Sequence, residues 1–138
     1  MNITHLEISS FVNATEDSAK VLRCIKNILP FNCKVEIEKF VGHFGNPIIK
    51  LKCKTVLQIQ IIQFIESMIN SLSQDDITNL TDNLNRRLDG NKLYLRFNKT
   101  AAFQGRLILG EGMQVVLTIT SYPFNKKKII NEFKDLLL

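Results

Sequence analysis

Between Gly90 and Gly110 the chain alternates so regularly that only a sheet with one covered face accommodates it. Gly90-Asn91 reads as a turn, after which Leu93, Leu95 and Phe97 alternate with Lys92, Tyr94 and Arg96. A period of two puts three apolar side chains on one face of a strand and a lysine, a tyrosine and an arginine on the other. Lys99-Thr100-Ala101-Ala102-Phe103 is too short and too rich in alanine for a further strand; it reads as a compact helical turn closed by Gln104-Gly105. Leu107, Ile108 and Leu109 then resume the sheet before Gly110. Cations and an aromatic ring beside a loop of free backbone amides suit a phosphate-bearing polymer. An ordinary half-exposed sheet has the same pattern, so this stretch constrains the fold more than the function.

The flanks supply the other elements. Residues 3–12 read as a strand, with Ile3, His5, Glu7 and Ser9 on one side and Thr4, Leu6, Ile8 and Ser10 on the other. Thr15-Glu16-Asp17 offers a capping hydroxyl and two acids suited to the positive end of a helix. Ala19, Leu22, Ile25, Ile28 and Leu29 give that helix its apolar stripe, and Pro30 ends it. Val35–Val41 and Pro47–Thr55 are two more strands, joined by the turn Gly42-His43-Phe44-Gly45-Asn46-Pro47. In the latter strand Ile49, Leu51 and Cys53 alternate with Lys50, Lys52 and Lys54, a basic stripe. Lysines also guard edge strands against aggregation, which is their commoner role.

Val56–Leu72 is a long helix, apolar at Leu57, Ile61, Phe64, Ile65, Met68 and Leu72 and widened by Ile59, Ile62 and Ile69. Ser73-Gln74-Asp75-Asp76 starts another helix near a capping box, running through Ile77, Leu80, Leu84 and Leu88 to Gly90. Met113–Ser121 is the last strand and Asn125–Leu138 the last helix. Lys126, Lys127 and Lys128 occupy the first turn of that helix, where cations oppose its dipole. The order is β-α-β-β-α-α-β-β-β-α, which predicts an α+β domain over residues 1–138: an antiparallel or mixed sheet with helices packed on one face. The other face then gathers Lys50, Lys52, Lys54, Tyr94 and Arg96, provided the third and fourth strands share an orientation.

Composition narrows the function by exclusion. A net charge of +5 over 138 residues permits nucleic acid or an acidic partner and decides nothing alone. Cys24, Cys33 and Cys53 are odd in number and lack C-x-x-C spacing, which favours neither a disulfide framework nor zinc and points to a reducing, cytoplasmic setting. The helix at 56–72 is interrupted by glutamine, glutamate, serine and asparagine, as a buried helix is and a membrane span is not. His5 and His43 have no ligand-spaced partners, and no nucleophile elbow, Walker loop or dinucleotide fingerprint occurs. The chain therefore reads as a non-enzyme with no catalytic or metal residues and no cofactor.

Three blocks carry a resemblance: Phe11-Val12-Asn13-Ala14-Thr15-Glu16-Asp17 with Leu29-Pro30, then Gly42-His43-Phe44-Gly45-Asn46-Pro47-Ile48, then Leu93 to Phe103 followed by Gly105. In this order they resemble a small archaeal family of predicted RNA-binding or exosome-associated proteins. Asn13 stands where that family often has histidine, and Phe44 and Phe103 where it has tyrosine. The resemblance implies a fold similar to the large-subunit ribosomal protein that binds 5S RNA. It also implies an RNA-binding accessory role in RNA processing, degradation or the ribosome. On that reading Lys50, Lys52, Lys54, Arg96 and Lys99 contact phosphates, Tyr94 stacks on a base, and His43 and Asn46 hydrogen-bond from the turn. The alternative is a protein-interaction or scaffold subunit, self-associating or docked to a larger complex, acting through Phe40, Phe44, Tyr94 and Phe103.

Overall fold

The structure is a computed structural model that describes residues 2–138. In chain order its elements are β1 (Asn2–Val12), α1 (Ser18–Ile28), β2 (Glu36–Val41), β3 (Pro47–Thr55), α2 (Gln58–Ser71), α3 (Gln74–Asp82), α4 (Leu84–Arg87), β4 (Leu88–Asp89), β5 (Lys92–Asn98), α5 (Lys99–Phe103), β6 (Gly112–Thr120) and α6 (Lys126–Leu137). The strands form one six-stranded sheet in the order β2-β3-β1-β6-β5-β4. Every pairing in it is antiparallel, so the expected α+β class holds.

The period-two pattern sorts the sheet into two faces. Leu6 and Ile8 of β1, Leu51 and Cys53 of β3, Leu93, Leu95 and Phe97 of β5, and Met113, Val115, Leu117 and Ile119 of β6 are all buried. Against them pack Val21, Cys24, Ile25 and Ile28 of α1, Ile61, Phe64, Ile65 and Met68 of α2, and Ile129, Phe133 and Leu137 of α6. Burying each such side chain contributes about 1.5–3 kcal/mol before entropy is counted, so helices on this face hold the fold together. The opposite face of the sheet carries the polar half of the alternation.

Local chemistry explains where the elements depart from the sequence expectations. Along β1 the pairing with β6 shifts between Ile3 and His5, and this bulge puts Ile3 on the same buried face as Leu6. Asp17 rather than Thr15 caps α1, its carboxylate accepting from the Ala19 amide at 2.9 Å. That start turns the helix so that Val21 and Cys24 face the core while Ala19 is exposed. Leu57, Ile59 and Ile62, expected in the apolar stripe of the long helix, are also exposed. The capping expectation at Ser73 holds: its hydroxyl accepts from the Asp76 amide at 3.1 Å. The helix that follows stops at Asn83, whose side chain donates to the Asn79 carbonyl, and Leu88 becomes the start of a hairpin with β5 instead of a last helical residue.

Two expectations are overturned. Leu107–Leu109 is not a strand; only one isolated bridge joins Leu109 to Phe97. Around that bridge the Asn98 amide donates to the Ile108 carbonyl at 2.7 Å and the Gly110 amide to the Arg96 carbonyl at 3.1 Å, while the Arg106 amide turns back to the Ala101 carbonyl of α5 and stops the pairing from extending. The Leu109 amide, on the side away from β5, donates to the Asp76 carboxylate at the start of α3, 3.1 Å away. The second concerns the cysteines: Cys33 and Cys53 are joined in a disulfide across 20 residues, leaving Cys24 free and buried. Cys53 does lie on the covered face of β3, as expected. The loop after α1 brings Cys33 under it, a tertiary contact that cysteine spacing alone does not encode.

Candidate nucleic-acid interface

The strand register settles which side chains share the open face. Residues paired across antiparallel strands point the same way, so partners can be followed from strand to strand. One row runs Glu36–Lys52–Ser9–Gln114–Arg96 and the next Lys54–Glu7–Val116–Tyr94. A third holds Glu38, Lys50 and Phe11, and a fourth His5, Thr118 and Lys92. Lys50, Lys52, Lys54, Tyr94 and Arg96 therefore do share one face. They do not form one stripe, because β1 and β6 lie between β3 and β5 and separate the two groups by about 14 Å.

Ion pairing divides the lysines of β3. Lys52 pairs with Glu38 of the edge strand, and Lys54 lies 3.9 Å from Glu36. The hydrogen bond from Lys52 holds the Glu38 carboxyl below the ordinary carboxylate range, and the same bond raises the Lys52 ammonium above its own. Lys50 instead sits over the Phe11 ring, 5.7 Å from its centroid. Across the face, Arg96 reaches Glu111 at 3.4 Å, a contact that is open to water and correspondingly weak. Lys92 makes no ion pair among the described residues. A hollow of about 530 Å³ on this face is lined by His5, Glu7, Lys54, Lys92, Val116 and Thr118.

The remaining expected residues lie elsewhere. His43 and Asn46 occupy the β2–β3 turn at one end of the face. Asn46 accepts the Gly42 amide at 2.7 Å, and its side chain fills the space that a Cβ on Gly42 would need. The structure thus gives Asn46 a role in shaping the turn, while His43 is exposed with its ring edge-on to Phe44.

Lys99 is not on the face. Its ammonium donates to the Phe11 carbonyl at 2.8 Å and to Glu16 at 2.9 Å, tying the start of α5 to the loop before α1. Burial pushes the Glu16 carboxyl up, but the Asn13 amide and the Lys99 ammonium outweigh it, and its pKa lies below the ordinary value. A depressed carboxylate stabilises the fold above its unfolded pKa and ceases to do so as pH falls through the folded one. Lys99→Met should therefore lower stability by about 1–3 kcal/mol at neutral pH. Urea midpoints should show that deficit shrinking below pH 4.5, the carboxyl's reference value.

Phe11 and Lys92 are the face residues that sequence reasoning left out of the site. Both were legible: Phe11 continues the alternation of Glu7 and Ser9, and Lys92 precedes Tyr94 and Arg96 by the same period. Among the described residues, no group of three or more histidine, cysteine, aspartate or glutamate side chains is placed to hold a metal ion. Nor, among the described residues, is any helix long and apolar enough to cross a membrane.

A family described as RNA binding matches residues 5–121, which takes in β2 to β6 and all of β1 but its first three residues. The chain belongs to this RNA-binding family. Relatives of the chain include the RNA-binding protein PAB1135 of Pyrococcus abyssi, 26% identical with 96% of this chain and 92% of the relative aligned. The uncharacterised protein MJ0213 of Methanocaldococcus jannaschii is 29% identical, with 94% of each covered. Among solved structures, AF2318 of Archaeoglobus fulgidus superposes with a TM-score of 0.89 at 28% identity, covering 98% of this chain and 99% of that one. SSO0741 of Sulfolobus solfataricus gives 0.76 at 28% identity, with 96% of both covered. Both are described as DUF54 proteins, so the family and the fold agree over nearly the whole chain.

Proposed function

We propose that this protein binds RNA across the open face of its sheet and does no chemistry on it. The observation that carries the reading is the interleaving of cations with rings on a solvated face: Lys50 with Phe11, then Lys54, Lys92, Arg96 and Tyr94. Phosphates are held by the ammonium and guanidinium groups, while rings offer stacking surfaces to bases of any identity. Lys52 is held by Glu38 and serves mainly to position the hairpin; His43 adds a donor at the exposed tip. Family membership supports RNA as the polymer and binding rather than catalysis as the activity. An accessory role in RNA processing, degradation or the ribosome is part of this proposal and rests on the resemblance of the three sequence blocks.

The test is binding of a short single-stranded RNA as a function of salt. With about four phosphate contacts, log affinity should fall against log salt with a slope of about −3. A slope near zero would remove the reading.

A specific observation favours protein docking as a second reading. On the β2–β3 hairpin Val41 is 80% exposed and Phe44 92%, with Phe40 beside them on the Glu36–Glu38 face. Exposed apolar groups clustered on an edge hairpin suit a partner, either a subunit of a larger complex or a second copy of the chain. Phe40→Ser/Phe44→Ser should then abolish assembly, read by light scattering or co-purification, with the thermal midpoint unchanged. Retained assembly in that variant would count against it.

A further inference from the structure

The loop after β6 extends the cationic, aromatic character of the face past the end of the sheet. Tyr122 is 102% exposed and Phe124 53%, two rings separated by one proline. Lys126, Lys127 and Lys128 follow, and none of them makes an ion pair among the described residues. Asn125 already caps α6, its side chain accepting the Lys128 amide at 3.1 Å, so these cations have no structural task at that terminus and oppose the helix dipole. A hollow of about 640 Å³ is lined by Asn2, Asn91, Thr120, Tyr122, Phe124 and Lys128. It adjoins the hollow on the face: Asn91 precedes Lys92, and Thr120 follows Thr118 on the same side of β6.

We propose that single-stranded RNA leaves the sheet at this end, with bases stacked on Tyr122 and Phe124 and phosphates on Lys92 and Lys126–Lys128. The proposal rests on the reading that the face binds RNA, and it names the form of RNA and the direction of its path. Stacking on these rings needs bases free of a partner strand, which a duplex does not present. Phosphate lies best where no carboxylate competes. Glu36 and Glu38 at the β2 edge and Glu111 beside β5 each sit within ion-pair distance of a cation of the face, whereas Lys92 and Lys126–Lys128 make no ion pair among the described residues, even though Asp89 stands opposite Lys92 in the ladder.

The chain has two tyrosines and no tryptophan, so Tyr94→Phe leaves Tyr122 as the sole strong fluorophore. Titrating that variant with oligouridine should quench its emission. Tyr122→Ala/Phe124→Ala should bind oligouridine at least about fivefold more weakly per ring, with its salt slope unchanged. Lys126→Ser/Lys127→Ser/Lys128→Ser should make the slope shallower by about 2. If Phe124→Ala disturbs folding, Tyr122→Ala alone serves, since that ring is fully exposed. An unquenched Tyr122, with affinity lost only when Lys50, Lys54 and Arg96 are replaced, would overturn the path and leave the face reading standing. An equal loss with a blunt RNA duplex would overturn the single-strand assignment. Failure of the wild-type protein to bind oligouridine at low salt would overturn both this path and the reading it rests on.

Discussion

Phe97→Ala should lower the stability of the fold by about 3–5 kcal/mol, the range for removing a fully buried phenylalanine. Phe97 is 0% exposed and stands opposite Met113 of β6. It also makes the single bridge to Leu109, so its ring closes the core where the 104–111 loop crosses the end of β5. Truncation would open a cavity there that the neighbours cannot fill without moving either the ladder or the Asp76–Leu109 tether. For a chain of this length each kcal/mol moves the thermal midpoint by about 3 °C, so a fall of about 10–15 °C is expected in a melting experiment. Phe103→Ala is the control: that ring is 39% exposed against Arg23, and its loss should cost a small fraction as much. Equal losses for the two variants would mean that the buried face of β5 is not the centre of the core.

The alternation that singles out Phe97 also made most of the architecture legible. Strands whose apolar residues recur every second position were found with bounds within a residue or two, because burial on one face forces that period. Failures arose where a tertiary contact outweighed a local preference. Leu107–Leu109 has strand composition, yet it makes a single bridge to β5, because the Arg106 amide is held by α5 on one side and the Leu109 amide is tied on its outer side to the Asp76 carboxylate of a helix remote in sequence. The register shift at His5 is set by pairing with β6 and leaves no mark in β1 itself. Cys33 and Cys53 meet only because the loop after α1 passes under β3.

For the candidate site the same division holds. Period two placed Lys50, Lys52, Lys54, Tyr94 and Arg96 on one face, whereas the strand order that separates them, and the pairing of Lys52 with Glu38, depend on which strands become neighbours. Lys99 follows Arg96 too closely in sequence to look different, yet it begins α5 and turns away from the sheet toward Glu16.

That partition of the cations leads to the largest functional effect. Lys50→Ala/Lys54→Ala/Arg96→Ala should weaken binding of short single-stranded RNA by about a hundredfold, each lost charge-assisted contact being worth about 1 kcal/mol or more. The salt slope should become shallower by about 2, because three fewer counterions are released. None of the three holds the core: Lys54 and Arg96 have side chains 51% and 59% exposed, and Lys50 lies over Phe11 on the open face. The thermal midpoint should therefore stay near that of the wild type, which separates lost contacts from lost folding. Lys52→Ala behaves differently on this account. It frees Glu38 at the edge of the face, so any weakening it brings comes from an exposed carboxylate repelling phosphate. Lys52→Ala/Glu38→Gln should recover most of that loss, whereas Lys54→Ala/Glu36→Gln should stay impaired, because Lys54 is loosely held and free to turn to a phosphate. Anisotropy titrations of the two double variants against their parents make the comparison. Recovery in both, or in neither, would show that ion pairing to β2 does not decide which lysines of β3 meet RNA.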